Sequence, residues 1–190
     1  RRDNDVRSAT AYDAFLRGQE RYNRRNPADN LEARGHFEHA IDLDPTFARA
    51  LAGLALTWSR QAIDGWTDAP DDALSKAYEL ANTAAGMDAR IPQVHFVLGE
   101  VLLFRRQHEQ AATAASTAIE LNPNYADAYA LLAWVLHYAG RSNQAIEALQ
   151  EARKRNPNSS ASYHEINGEI HFAAERYRQA VDEFQATLAR

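Results

Sequence analysis

Cysteine is absent from this sequence of 190 residues, and methionine occurs once. Without cysteine the chain can form no disulfide, no thiolate nucleophile and no cysteine-ligated zinc site. Long apolar runs are missing too, since no stretch approaches the roughly 18 consecutive apolar residues of a membrane span. The formal net charge of −5 is small, and it gives the chain little attraction for phosphate backbones.

The first residues of the sequence do not resemble a signal peptide. Arg1 to Asp5 are charged or polar and have no apolar core of the kind found in signal peptides. Since the only methionine is Met87, we expect this chain to be a piece of a longer protein. These features leave the compartment open, with the cytoplasm slightly favoured. The content of 45% hydrophobic and 25% charged residues is that of an ordinary folded domain rather than a disordered one.

An internal repeat is the main feature that the sequence does contain. The stretch 40–48 (AIDLDPTFA) returns as 118–126 (AIELNPNYA), and a weaker version returns at 152–158 (ARKRNPN). Pro123 and Pro157 are 34 residues apart. Helical solenoids built from pairs of helices have this period.

A second marker repeats in the same register. A small residue that suits the close crossing of two helices recurs at steps of 44, 34, 34 and 35 residues, at Ala33, Ala77, Ala111, Ala145 and Ala180. Phe37, Leu149 and Phe184 lie four residues after three of these alanines and are predicted to fill the space beside the crossing. Proline after Asp44, Asn122 and Asn156 is predicted to separate one repeat from the next.

The register resembles that of the tetratricopeptide repeat family over nearly the whole chain. Leu98-Gly99 and Leu132-Ala133 match the Leu-Gly pair of the family's first helix, and Trp58 matches its aromatic position. The resemblance implies an all-α fold, a right-handed α-solenoid of about five helix-turn-helix repeats. We expect a single solenoid over 1–190, with repeats at about 10–45, 46–89, 90–123, 124–157 and 158–190, and a first helix that starts near residue 10.

Two repeats depart from the period. In the first, Asn26-Pro27 predicts a lengthened turn that starts the next helix. The second is ten residues longer than the 34-residue period, and its extra length contains Gly65, Trp66 and Pro70. Trp66 is interpreted either as a plug that folds back on its own repeat or as a contact presented to a partner, since exposed tryptophan often anchors interfaces.

The family resemblance also implies a binding surface. First helices line the concave face, which predicts a peptide groove formed by Phe96, Glu100, Phe104, Ala130, Trp134, His137, Tyr138, Glu165, Glu169 and Phe172. This aromatic channel with an acidic margin suits an amphipathic helix, or an apolar segment that carries basic residues. Alternatively, some side chains on these helices, such as Leu103, Leu131 and Ile166, pack against the neighbouring repeat.

One subset of the family clamps a terminal carboxylate with Lys and Asn on successive first helices, and this sequence departs from it. Leu16 and Glu20 stand where those residues would be needed, so binding of chaperone tails is not expected. Catalytic chemistry is not expected either. His36 and His39 lie one helical turn apart, but no third metal ligand or nucleophile motif accompanies them. We expect no enzyme activity, no metal and no cofactor.

The first third of the chain points to a kind of parent protein. The stretches 11–18 (AYDAFLRG), 22–25 (YNRR) and 50–55 (ALAGLA) resemble tetratricopeptide regions C-terminal to bacterial class III adenylate or guanylate cyclase domains, or following winged-helix domains. The function that the sequence predicts is therefore a protein-interaction scaffold, a regulatory module of a larger bacterial signalling protein. A self-association module, forming a homodimer, is the alternative, and a nucleic-acid-binding solenoid a remote one. No nucleic-acid partner and no membrane contact is expected of this fragment.

Overall fold

Helices make up all the regular secondary structure that is described. The computed structural model describes residues 2–158 and 161–188 and shows ten α-helices and no strand within them. In chain order they are α1 (Arg2–Tyr22), α2 (Pro27–Leu43), α3 (Ala48–Ile63), α4 (Pro70–Met87), α5 (Pro92–Phe104), α6 (His108–Leu121), α7 (Ala126–Tyr138), α8 (Ser142–Arg155), α9 (Ala161–Ala173) and α10 (Tyr177–Leu188). The predicted all-α class is confirmed.

Several helices begin where proline and asparagine predicted. Pro27, Pro70 and Pro92 occupy the first turns of α2, α4 and α5. Backbone N–H groups in the first turn make no hydrogen bond within the helix, so proline, which lacks this group, is tolerated there. Asn26 caps α2, because its side-chain oxygen accepts a hydrogen bond of 2.9 Å from the backbone N–H of Asp29. The predicted Asn-Pro turn is therefore confirmed.

The first helix is longer than predicted. It was expected from about residue 10 and instead begins at Arg2. The repeat period only marks the part of a helix that packs against its neighbours, whereas residues 2–9 contain neither Gly nor Pro to stop a helix. The repeat register therefore did not predict this N-terminal extension of α1.

Left-handed backbone recurs in the turns that follow α1, α3, α5, α7 and α9. Gly65 and Gly140 have φ of 69° and 76°, and Arg25, Arg106 and Glu175 have φ of 52°, 60° and 58°. A residue with a Cβ adopts this conformation at a cost of about 1 kcal/mol or more. The two glycines are typical of such turns, whereas the other three residues are not.

The first compact unit, residues 1–106, contains α1 to α5. Here α1 packs on α2, α3 packs on α4, and α5 contacts both α3 and α4. Phe37 is 1% exposed and sits among small residues such as Ala33 and Ala40. A Cβ added to Gly18 or Gly53 would come within 2.7 or 2.6 Å of the Phe37 ring. Glycine is needed at both positions because the backbone approaches this ring so closely.

The second compact unit, residues 107–190, contains α6 to α10. Its α7 packs on α8 and its α9 on α10, around a core that includes Leu149, Tyr163 and Ile170. Tyr163 is buried, and its hydroxyl donates a hydrogen bond of 2.7 Å to Asp127. The buried core therefore keeps its one large polar ring satisfied.

The small residues that marked the repeats are buried in both units. Ala33, Ala77, Ala111 and Ala145 are 0% exposed, and Ala180 is 1% exposed. The third predicted pair of helices, α5 and α6, divides between the two units. The division into five repeats within one domain stays a prediction.

Candidate functional site

Two helices of the second unit bring together five of the predicted groove residues. Trp134, His137 and Tyr138 lie on α7, and Glu165 and Glu169 lie on α9; we call these five residues the α7–α9 face. The indole Nε1–H of Trp134 donates a hydrogen bond of 3.1 Å to Glu169 Oε2. The hydroxyl of Tyr138 donates to the same oxygen at 3.4 Å. The carboxylate of Glu169 therefore binds two side chains of α7 that lie 35 and 31 residues before it in the sequence.

Aromatic rings surround Tyr138. Its ring centroid lies 6.3 Å from that of Trp134 and 5.3 Å from that of His137. The imidazole of His108, on α6, lies parallel to the same ring at 6.3 Å, with 7° between the planes. Tyr138 nevertheless remains 52% exposed. A large side chain is therefore held in place by its neighbours while half of its surface faces solvent.

The electrostatics of this face are dominated by the two carboxylates. Partial burial raises the pKa of Tyr138, and the negative charges of Glu169 and Glu165 raise it further. Burial lowers the pKa of His137, although Glu169 pulls it in the opposite direction. His137 is therefore neutral at pH 7 and does not neutralise the carboxylates.

Other predicted groove residues of the second unit are placed differently. Ala130 is 4% exposed and belongs to the buried cluster of this unit, so its methyl group lies in the core rather than on an open surface. Leu131 and Ile166 are also buried. For these two residues the burial favours the alternative, in which they pack against neighbouring helices. Phe172, at the end of α9, is 60% exposed and meets the ring of Tyr177 edge-on at 5.6 Å.

The predicted groove residues of the first unit all lie on α5. Phe96 is half-buried and packs against the core cluster that contains Val97 and Val101. Phe104 is half-buried as well, and Leu103 beside it is 4% exposed and part of the core. Glu100 is half-buried. Burial raises the pKa of this carboxyl, while the charges of Arg60 and Arg25 oppose the rise.

The surroundings of Glu100 include two residues that were not predicted. The guanidinium of Arg60, on α3, lies 4.2 Å above the ring of Tyr22, on α1, and donates a hydrogen bond of 2.6 Å to its hydroxyl. Burial raises the pKa of Tyr22, and the nearby charge of Glu100 raises it further. An isolated tyrosine or arginine on a helix is usually an ordinary surface residue, so no sequence pattern singled out this cluster.

Trp66 lies in the connection between α3 and α4. It is half-buried, and its backbone N–H donates to the carbonyl of Gln61 at 2.9 Å. Asp71 and Asp72 lie in the first turn of α4, where acidic side chains are favoured. Both interpretations of Trp66, a local plug and a partner contact, therefore remain predictions.

Metal and membrane features were sought across the described ranges. Residues 2–158 and 161–188 hold no group of three His, Asp or Glu side chains placed to bind a metal ion. None of the helices in these ranges combines the length and apolarity needed to cross a bilayer.

A family comparison locates the repeats on the chain. Residues 102–170 match the sequence profile of the tetratricopeptide repeat family. Among solved structures, TTC0263, a tetratricopeptide protein of Thermus thermophilus, has a TM-score of 0.76 and 21% identity, with 94% of this chain and 90% of that chain covered. At this identity the likeness shows the fold alone, and it confirms the predicted tetratricopeptide solenoid class.

Two further relatives are informative. YrrB, described as a tetratricopeptide protein with an unusual peptide-binding site, has a TM-score of 0.54 and 18% identity, with 85% of this chain and 78% of that chain covered. A Rhizobium meliloti (strain 1021) protein named "Putative adenylate cyclase 3" is 32% identical over 104 residues. That match covers 55% of this chain and 18% of the relative, so this chain aligns with less than a fifth of the relative's length.

Proposed function

This chain carries tetratricopeptide repeats, and from that premise we propose that it is a protein-interaction scaffold that binds a peptide or helix of another protein. In the second unit the binding surface is the α7–α9 face together with Phe172 at the end of α9. The partner segment is apolar or basic, as the aromatic and acidic character of the face predicts. On α5 of the first unit, Phe96, Glu100 and Phe104 remain candidate contacts.

The exposure of Tyr138 is the observation that carries this proposal. A tyrosine in the core of a fold is covered, whereas Tyr138 is 52% exposed in the middle of an aromatic cluster. Its hydroxyl donates to Glu169 at 3.4 Å, and its ring lies parallel to that of His108, with the centroids 6.3 Å apart. A rigid aromatic side chain with an open surface is typical of an interface anchor, because little conformational entropy is lost on binding.

The comparisons support the same proposal from two directions. YrrB has the same fold and a peptide-binding site. The likeness to part of the adenylate cyclase relative supports a regulatory module of a larger bacterial signalling protein. The activity of such a parent protein would belong to a domain other than the repeats, since the groove residues predict binding rather than catalysis.

Selection of peptides from a displayed random library tests the proposal. Peptides enriched on the wild-type chain are expected to bind Tyr138→Ala and Phe172→Ala at least about tenfold more weakly, as for interface anchors. Leu31→Ala is the matched control, because Leu31 is 65% exposed on α2 and outside the proposed surface. Peptides that bind all four proteins equally would contradict the proposal.

A second candidate function is self-association. On α10 several apolar side chains are exposed: Tyr177 at 56%, Val181 at 51%, Phe184 at 36% and Leu188 at 88%. If a second copy covers this helix, Val181→Glu should convert a dimer into a monomer, which light scattering would detect. A wild-type chain that is monomeric at high concentration would exclude this function.

A further inference from the structure

The α7–α9 face has the composition of a site for a guanidinium group. We propose that it binds the side chain of an arginine carried by the partner protein, stacked on Tyr138 and paired with Glu165 and Glu169. This inference rests on the proposed function and specifies the chemistry of the same surface. Arginine is the one side chain that stacks flat on an aromatic ring and also donates two parallel hydrogen bonds to a carboxylate.

Within residues 107–158 and 161–188, no ion pair matches the negative charge of the face. Glu165 and Glu169 are one helical turn apart on α9, and none of the ion pairs in the described part of the chain involves either of them. The two other titratable residues of the face, His137 and Tyr138, are both uncharged at pH 7. A cation from outside the chain would therefore find two uncompensated carboxylates.

Glu169 also has hydrogen-bonding capacity left. The bonds from Trp134 and Tyr138 both end on Oε2, whereas a carboxylate can accept about four hydrogen bonds in all. The two donors fix the carboxylate in one orientation beside the Tyr138 ring. Oε1 is thus held ready for a donor that arrives over the exposed part of that ring.

The first unit shows what a completed site of this kind looks like. There the guanidinium of Arg60 lies over the ring of Tyr22 and bonds its hydroxyl, with Glu100 close enough to affect the pKa of Tyr22. The α7–α9 face has the tyrosine and the carboxylate of this arrangement. Among the described residues, no arginine lies over Tyr138.

Stacking of arginine on aromatic rings is a repeated device in this chain. Guanidinium carbons lie 3.7, 4.2, 4.7 and 4.0 Å from the ring centroids of four other aromatic residues, in the pairs Arg34–Trp58, Arg60–Tyr22, Arg105–Tyr78 and Arg155–Tyr129. The Tyr138 ring is 52% exposed, and its acidic neighbours Glu169 and Glu165 add an attraction for cations. The partner is therefore inferred to supply the missing arginine.

Nuclear magnetic resonance of the tryptophan indole groups tests this inference on the whole chain. The chain has three tryptophans, so Trp58 and Trp66 serve as internal controls for Trp134. Titration with N-acetyl-arginine amide should shift the Trp134 indole Nε1–H signal saturably, with a dissociation constant on the order of 1–10 mM. N-acetyl-citrulline amide, which is uncharged and nearly the same shape, should shift it little.

Variants separate recognition from folding. Glu169→Gln keeps an oxygen for the Trp134 hydrogen bond but removes the charge, so it should weaken arginine binding about tenfold or more. Glu147→Gln, the same change at a position on α8 outside the proposed surface, should bind as the wild type does. Because both changes lie in the second unit, a far-UV circular dichroism spectrum and a thermal melting curve equal to those of the wild type show that each variant is folded.

Three outcomes would overturn the inference. The first is an equal shift of the Trp134 signal with the arginine and citrulline amides. The second is no shift of that signal with either amide. The third is binding of N-acetyl-lysine amide as tight as that of the arginine amide, which would show that the face accepts any cation. The proposed function fails separately, through peptides that bind Tyr138→Ala as well as they bind the wild type.

Discussion

Phe37 shows how single residues set the spacing of helices in the first unit. Its ring is buried, and the same ring atoms, Cδ1, Cε1 and Cζ, lie close to Gly18 of α1 and to Gly53 of α3. Phe15 packs against the same ring, with centroids 5.9 Å apart. Both glycines are therefore required by packing rather than by backbone conformation.

Gly53→Ala should therefore destabilise the chain, although alanine favours helix. The new Cβ would meet the Phe37 ring at 2.6 Å, and overpacking of this kind costs about 1–3 kcal/mol. Gly86→Ala is the matched control, because a Cβ at that helical position meets nothing within 4 Å. It should stabilise by up to about 1 kcal/mol.

Chemical denaturation of both variants measures these free energies of unfolding. Stabilisation of the chain by Gly53→Ala would show that the Phe37 ring moves aside at little cost, and would contradict the packing described here.

Sequence reasoning was good at this scale for small buried residues and poor for polar contacts. Ala33, Ala77 and Ala111 were predicted at helix crossings because their spacing repeats, and all are buried. Tyr22 and Arg60 were missed because the partners that give them a role come from helices distant in sequence. Periodicity identifies which positions face inward, whereas the pairing of polar groups depends on the packed structure.

At the scale of helices, a polar cluster fastens α10 to the rest of the second unit. Glu183 of α10 accepts hydrogen bonds from Arg153 of α8 at 2.9 Å, from His164 of α9 at 2.7 Å and from Asn167 of α9 at 2.7 Å. One carboxylate therefore joins three helices. Burial alone would raise the pKa of Glu183, but the three donors together lower it below its usual value of 4.5.

This lowered pKa predicts how the attachment of α10 depends on pH. A carboxyl whose pKa is lower in the folded state contributes stability that is complete above the unfolded pKa and is lost as pH falls through the folded one. The contribution of Glu183 should therefore be present at pH 7 and disappear below about pH 4.5. In Glu183→Gln it should be absent throughout.

Hydrogen exchange of the α10 amides measures this effect directly. At pH 7, Glu183→Gln should speed exchange in α10 roughly tenfold or more, since a charge-assisted hydrogen bond contributes about 1.5–3 kcal/mol. Asp182→Asn, at an exposed neighbouring position, is the control and should exchange as the wild type does. Equal protection of α10 in all three proteins would refute the role given to Glu183.

Helix ends were most clearly predictable where proline or asparagine marks them. Asn26 and Pro27 predicted the start of α2, and the structure has it there. The start of α1 was missed by about eight residues, because no residue type marks it. The left-handed turns at Arg106 and Glu175 were not foreseen, since tertiary packing there imposes a conformation that the local sequence does not favour.

At the scale of the whole chain, repeat counting predicted the fold and only suggested the function. A 34-residue period constrains ten helices at once, which is why the architecture followed from a single sequence. The binding surface depends on which inward-facing residues stay exposed after packing. That is why Ala130 proved buried while Tyr138 and Phe172 remained accessible.

Site-specific photocrosslinking in the native host tests the proposed binding surface most directly. The photoreactive residue p-benzoylphenylalanine would replace Tyr138 in the protein as its native host produces it, and Leu31 in a control. If the α7–α9 face is the binding surface, position 138 should give a discrete adduct with a partner segment and position 31 should give none. No adduct from position 138, or the same adduct from both positions, would contradict that function.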